Sequence, residues 1–269
     1  MPELPEVENI RKSLEETIRD KRITKVEIFY PKVLQGIRKE GEVLKGKTFS
    51  KILRRGKYLL FLLEPSGVLL CHLRMTGKFR YQEAIVPQKH DHLVFMLDKG
   101  WLIYNDVRKF GGLVYYDNIE EAWESLRHLG KEPLSEEFTA EYLYQKSRGK
   151  KKALKAFLLD QSVVAGIGNI YADEVLFRAK LHPTKPSLEL TKEACEMLVF
   201  SIKMILEDAI TSGGSSIQNY SNAIGQKGKF QEKHEVYARS GQPCKVCQNI
   251  LEKTQVAGRT TTYCSKCQK

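Results

Sequence analysis

Among the first eighteen positions, Val7, Ile10, Leu14 and Ile18 recur as apolar residues three or four apart. Those three- and four-residue steps predict one buried helical face over residues 3–18, with Pro5 suited to the first turn. From about Ile23 the period changes. Val26, Ile28 and Tyr30 alternate, and so do stretches of 48–63, 68–74, 92–97, 101–107 and 112–116, all rich in Val, Ile, Leu, Phe and Tyr. Pro65-Ser66-Gly67, Asp98-Lys99-Gly100 and Gly111-Gly112 separate them as turns. This pattern predicts a mostly antiparallel β-sandwich or barrel led by one helix.

Beyond residue 118 the pattern turns helical. A short helix is expected over 119–128, then a break from Gly130 to Pro133. Ser135 reads as the N-cap of a helix near 136–147, and further helices should cover 151–161 and Asn169 to about Lys180. Thr191 caps a long helix that ends before Gly213-Gly214. Residues 213–234 have little periodicity and read as a mobile loop. The expected organisation is a β-sandwich over 1–118, a linker over 119–133, a helical domain over 134–234 and a β-rich tail over 235–269. The fold class is therefore α+β.

Charge and composition narrow the classes. No apolar run reaches the roughly 18 residues of a membrane span. The start, with Glu3, Glu6 and Glu8, has neither the basic nor the apolar character of a signal peptide, so a cytoplasmic protein with no membrane role is expected. The chain carries 44 Lys and Arg against 33 Asp and Glu, a net charge of +11. Lys146, Arg148, Lys150, Lys151, Lys152 and Lys155 fall within ten residues with no acid among them. Such clustering suits a polyanion, although a solvated basic face would look the same.

Cys71 and Cys195 lie in apolar surroundings and read as small buried hydrophobes. The other four cysteines form Cys244-x2-Cys247-x16-Cys264-x2-Cys267. Two such knuckles supply four thiolates to one tetrahedral Zn²⁺, which leaves no open position for a substrate, so the zinc should be structural. Val164-Ala165-Gly166-Ile167-Gly168-Asn169-Ile170-Tyr171 joins two helices. Its glycines and helix start could hold a phosphate, or form a plain helix–turn–helix corner. A dinucleotide cofactor site is not expected, because no strand precedes the glycines and Tyr171 occupies the third glycine position. Met1 precedes a small residue after which it is normally removed. Pro2 would then expose a secondary amine with a pKa near ~8, able to attack an electrophilic sugar carbon.

Taken together these motifs resemble the formamidopyrimidine-DNA glycosylase family. The resemblance rests on Pro2-Glu3-Leu4-Pro5-Glu6-Val7-Glu8, Arg54-Arg55-Gly56-Lys57-Tyr58-Leu59 and His72-Leu73-Arg74-Met75. Asp106-Val107-Arg108-Lys109-Phe110-Gly111, the Gly166–Tyr171 turn and the zinc tail complete it, so that it covers essentially the whole chain. It implies a bacterial base-excision repair enzyme, both DNA glycosylase and AP lyase, with a helix–two-turn–helix motif, a β-hairpin zinc finger and one structural Zn²⁺. The implied substrate is double-stranded DNA containing oxidised purines or abasic sites, acted on by a monomer.

It further implies that Pro2 is the nucleophile, that Glu3 shuttles protons and that Lys57 and Arg259 assist. Glu6, His72, Lys155, Asn169 and Tyr237 are implied to serve DNA binding. Met75, Arg108 and Phe110 are implied to fill the space left by the extruded nucleotide, although without the resemblance Met75 and Phe110 would read as core. Gln218 and Tyr220, in a lesion-capping loop over 213–230, are implied to meet the damaged base. The Glu-Leu-Pro-Glu-Val start favours oxidised purines over the oxidised pyrimidines of the endonuclease VIII type. A catalytically silent DNA-binding zinc protein is a third reading. The chain departs from the family pattern at Gln218, where many members carry arginine, and at Ala238 and Thr260, where glycine is usual.

Overall fold

The change of period at Ile23 marks the step from helix to strand in the computed structural model, which describes residues 1–37, 41–217 and 220–269. Helix α1 spans Leu4–Ile18 and turns Leu4, Val7, Ile10, Leu14 and Ile18 inward. Among the described residues nine strands follow, β1 (Ile23–Ile28), β2 (Leu34–Gln35), β3 (Thr48–Arg55), β4 (Tyr58–Glu64), β5 (Val68–His72), β6 (Lys78–Gln82), β7 (Asp91–Leu97), β8 (Trp101–Asn105) and β9 (Gly112–Tyr116). They form a five-stranded sheet, ordered β2-β9-β5-β4-β3, and a four-stranded sheet, ordered β1-β7-β8-β6. All neighbours are antiparallel except β2 and β9.

Alternation decides which side chains meet. Leu59, Phe61 and Leu63 of one sheet share a core with Leu93, Phe95 and Leu97 of the other and with the buried face of α1. Edge-on ring contacts run from Phe95 through Phe49, Phe61 and Phe79 to Tyr104, with centroids 5.2–5.8 Å apart. Three features escaped the sequence reading, the first being the two-residue strand β2. Lys78–Gln82 is a strand although only Phe79 and Tyr81 mark its period, and 48–63 divides into β3 and β4 at Gly56-Lys57.

The chain folds into two compact units, Met1–Arg127 with Gly213–Lys229, and His128–Ser212 with Phe230–Lys269. Two segments therefore fall elsewhere than expected. Helix α2 (Ile119–Ser125) packs on β5 and β9 of the sandwich and is not a free linker. The loop 213–229 groups with the sandwich and not with the helices, because its polar backbone finds partners there. Ser215 N–H donates to Glu6 (2.8 Å), Ala223 N–H to Ser13 Oγ (3.1 Å), and Tyr81 N–H to the Ala223 carbonyl (2.9 Å).

The second unit holds α3 (Ala140–Ser147), α4 (Leu154–Leu159), α5 (Asn169–Arg178) and α6 (Lys192–Thr211), then the hairpin of β10 (Glu252–Val256) and β11 (Arg259–Tyr263). Thr191 caps α6 as expected, accepting from Ala194 N–H. Helix α3 starts later than expected, because Thr139 and not Ser135 caps it. The Thr139 hydroxyl accepts from Tyr142 N–H, while that of Ser135 turns to the Glu132 carbonyl.

Ala238 sits in the left-handed region at φ 60°. A Cβ there costs about 1–2 kcal/mol, partly offset by the greater freedom glycine has in the unfolded chain. Ala238→Gly is expected to raise stability by about 1 kcal/mol. A thermal midpoint that stays level or falls would contradict this account.

Candidate active site and nucleic-acid interface

The N-terminus is shaped by a capping box. Glu3 is the N-cap of α1 and its side chain accepts from the backbone of Glu6, while the Glu6 carboxylate accepts from Glu3 N–H at 2.8 Å. Both carboxylates are buried. The second oxygen of Glu6 takes Ser215 N–H at 2.8 Å, and the Tyr220 hydroxyl donates to the Glu6 carbonyl at 3.2 Å. One side chain thus links the segment carrying Pro2 to the loop containing Tyr220. Gly214 permits the approach. It has φ 83°, and a Cβ there would lie 2.8 Å from a Glu6 oxygen. Gln218 lies outside the described residues.

Lys57 follows Gly56 in the β3–β4 turn and is only 6% exposed. The turn is tied to α1 through Arg54, which donates to Glu8 at 3.0 Å and to the Gly56 carbonyl at 3.1 Å. Burial alone would raise the Glu8 pKa, but bonding to Arg11 and Arg54 holds it below the usual carboxylate range. His72, paired with Tyr58 across β4 and β5, meets that ring edge-on at 4.6 Å. Its Nδ1 accepts from Arg74 N–H at 2.9 Å. Burial first, then the charges of Arg74 and Lys57, push its pKa down to about 3. His72 is therefore neutral near pH 7 and can donate only through Nε2.

Met75, Arg108 and Phe110 come from two loops at one end of the sandwich. Met75 is 40% exposed and Phe110 60%, so neither is core, and Arg108 lies over the Phe110 ring at 4.5 Å. An exposed methionine and phenylalanine gain nothing in water, which fits side chains kept for a binding event.

In the second unit Lys155 requires a correction. The expectation that it meets DNA from the start of α4 fails, because it is fully buried. It pairs with Asp173 at 2.7 Å and donates to the Thr260 carbonyl and the Thr261 hydroxyl, each at 2.9 Å. A charge with no solvent exposure must be satisfied inside, and this one fixes the finger hairpin. Burial raises the Asp173 pKa, against the opposing pull of Lys155 and Thr262 N–H.

Asn169 opens α5 and also donates to the Thr260 carbonyl, at 3.2 Å, while its Oδ1 is buried without a partner. Thr260 itself is regular strand paired with Gln255. The β-branched residue suits that backbone, so the departure from glycine leaves β11 intact. Arg259 stands exposed at the start of β11, just after the Ala257-Gly258 turn. Tyr237 is half-buried, with its N–H on Glu174, whose carboxylate also takes Glu235 and Val236 N–H.

All six cysteines are free, and Cys71 and Cys195 are buried as expected. The Sγ atoms of Cys244, Cys247, Cys264 and Cys267 lie within 4.8 Å of one another. The pairs Cys244–Cys267 and Cys247–Cys264 stand at 4.0 and 3.5 Å. Four sulfurs at ~2.3 Å from one zinc would be roughly 3.8 Å apart, so the cluster fits a closed tetrahedral site. Sequence reasoning missed Thr76, Tyr104 and Asp106, which touch the backbone of the two exposed loops. Only Asp106 carried a signal, as the first residue of the motif containing Arg108 and Phe110.

Three family models match the chain. The formamidopyrimidine-DNA glycosylase N-terminal domain matches residues 1–113, the H2TH domain of the same glycosylase 129–221, and a zinc finger found in FPG and IleRS 241–269. The tail is accordingly a structural site for one zinc ion. The chain is 44% identical, over all of both chains, to the formamidopyrimidine-DNA glycosylases of Desulfitobacterium hafniense and Lactococcus lactis. Among solved structures it is similar to a Lactococcus lactis FPG mutant in complex with a Fapy-dG containing DNA (TM-score 0.94, 42% identity, all of both chains). It is also similar to Lactococcus lactis Fpg with an abasic site containing DNA (TM-score 0.92, 41% identity, 99% of both chains). The chain belongs to the formamidopyrimidine-DNA glycosylase family.

Proposed function

We propose that this chain excises oxidised purines, 8-oxoguanine and formamidopyrimidines, from double-stranded DNA and then cleaves the strand at the resulting abasic site. The observation that carries this reading is the Glu6 carboxylate, which accepts from both Glu3 N–H and Ser215 N–H. It brings the proposed nucleophile's segment and the proposed lesion loop to one group. With Met1 removed, the Pro2 nitrogen attacks C1′. The glycosidic bond breaks, its electron pair leaves with the base, and Glu3 supplies a proton to the sugar oxygen or the leaving group. Pro2 loses its N–H proton, and the C1′–O4′ bond then breaks with its electron pair on a protonated O4′, which opens the sugar as an iminium; this acidifies C2′, and loss of that proton expels the 3′ phosphate. A second elimination expels the 5′ phosphate.

Lys57 holds the phosphate flanking the lesion, and His72, neutral, donates from Nε2. Tyr220 and its neighbouring backbone receive the extruded base. Met75 and Phe110 replace lost stacking, and Arg108 faces the orphaned base. Asn169, Tyr237 and Arg259 hold phosphates from the second unit, Arg259 through its planar fork. Lys155 acts through the Thr260 carbonyl. The relatives are bacterial, and no helix among the described residues is long and apolar enough to cross a membrane. We infer action as a monomer in the cytoplasm.

Borohydride added to protein and a duplex containing 8-oxoguanine opposite cytosine should trap a covalent adduct that maps to Pro2. No adduct with DNA binding intact would leave the silent binder. A faster reaction with an oxidised pyrimidine would select the other specificity.

Arg259→Ala should weaken duplex binding about ten- to a hundredfold and reduce its salt dependence by roughly one phosphate contact. Unchanged affinity with the finger folded would remove that role. A strong chelator should release one zinc per chain and abolish DNA binding while the β-sheet circular dichroism persists. Full binding by zinc-free protein would show that the finger is dispensable.

A further inference from the structure

Met75 lies between β5 and β6, whereas Arg108 and Phe110 lie between β8 and β9. Taking a base out of the stack costs a few kcal/mol, so the side chains that replace it must resist being pushed back. Two independent exposed loops would yield separately. In this structure they are joined. The Thr76 hydroxyl, next to Met75, donates to Asp106 Oδ1 and accepts from Arg108 N–H at 3.1 Å. Asp106 Oδ1 also accepts from Arg108 N–H at 3.1 Å, and Oδ2 takes Gly111 N–H at 2.8 Å.

Asp106 has no solvent exposure, and its backbone is held by the His90 carbonyl at 3.1 Å and His92 Nε2 at 2.8 Å. Beneath both loops lies the Tyr104 hydroxyl. A Cβ at Gly77 would come within 2.5 Å of it, and one at Gly111 closer still. The two glycines let both loops close on the same phenol, at the end of the ring contacts that cross the core.

We propose that Thr76 and Asp106 are a positioning pair that couples the two loops, so that Met75, Arg108 and Phe110 enter the duplex as one wedge. The proposal rests on the wedge role given to that trio above. Above the Tyr104 phenol, this hydroxyl is the only side-chain hydrogen bond from one loop to the other seen among the described residues. Removing it leaves Asp106 with the two N–H bonds of its own loop, so that loop keeps its shape. What is lost is the hold on residues 73–77. Extrusion of a base should suffer, while elimination at a site with no base to extrude should not.

The test compares two substrates, a duplex with 8-oxoguanine opposite cytosine and a single-stranded oligonucleotide with a preformed abasic site. Thr76→Val, which keeps the shape and removes the hydroxyl, should lower kcat/KM on the duplex about tenfold and leave abasic cleavage within about twofold. Thr76→Ser should restore the duplex rate. Should the valine variant not fold, Thr76→Ala serves the same comparison. Equal losses on both substrates, or a serine variant as slow on the duplex as the valine, would overturn the positioning role. Met75→Ala separates the two layers of inference. If it leaves the ratio of duplex to abasic rates at the wild-type value, the wedge role fails and the coupling with it. If it lowers the ratio and Thr76→Val does not, only the coupling fails.

Discussion

A carboxylate taken out of water must find hydrogen-bond donors, and in this chain those donors are mostly backbone N–H groups of loops. Glu6 takes Glu3 and Ser215, Asp106 takes Arg108 and Gly111, and Glu174 takes Glu235, Val236 and Tyr237. Asp173 takes Thr262 and the Lys155 ammonium. A sheet ladder orders its own strands, but a loop has no ladder. An ionised acceptor makes bonds about twice as strong as a neutral one, and leaving it unpaired inside costs several kcal/mol. The requirement works both ways. The acid can be buried only if the loop adopts the conformation that satisfies it, and the loop is then fixed.

This explains how the side chains proposed to meet DNA, exposed or not, are firmly placed. Phe110 projects outward from backbone held at Asp106. Arg259 projects from a hairpin whose next residues are gripped by Lys155 and Asn169. Lys57 sits in a turn held by Arg54, which is itself held by Glu8. In each case a buried or half-buried polar group fixes main chain, and the main chain aims a different side chain. Lys155 shows the distinction most clearly. It lies in the most basic stretch of the sequence, yet it spends its charge internally, at the finger, while its sequence neighbours Lys151 and Arg148 do not share that burial.

The departures from the family pattern divide on the same physical grounds. Thr260 occupies ordinary strand, where a β-branched residue is at home. Ala238 occupies left-handed backbone, where its Cβ is strained and glycine would not be. From the sequence the two substitutions looked alike, both replacing a usual glycine. Only the local φ separates them.

What the sequence by itself determined was most of what periodicity, spacing and strong local signals carry. The leading helix followed from apolar steps of three and four, most strands from alternation, the α6 cap from Thr191, and the metal cluster from two Cys-x2-Cys knuckles. These are legible because each rests on residues close together in the chain. The tertiary structure alone decided which distant residues meet. Glu6 reaches Ser215 across 209 positions and Lys155 reaches Thr261 across 106. No local pattern records such pairings, because a buried carboxylate or ammonium accepts any donor or acceptor that the fold brings to it. Without the family resemblance the same reason would hide the exposure of Met75 and Phe110, which read as core until the loops that carry them are seen at the end of the sandwich. It also hid the burial of Lys155, whose charge predicts a surface until Asp173 is found beside it.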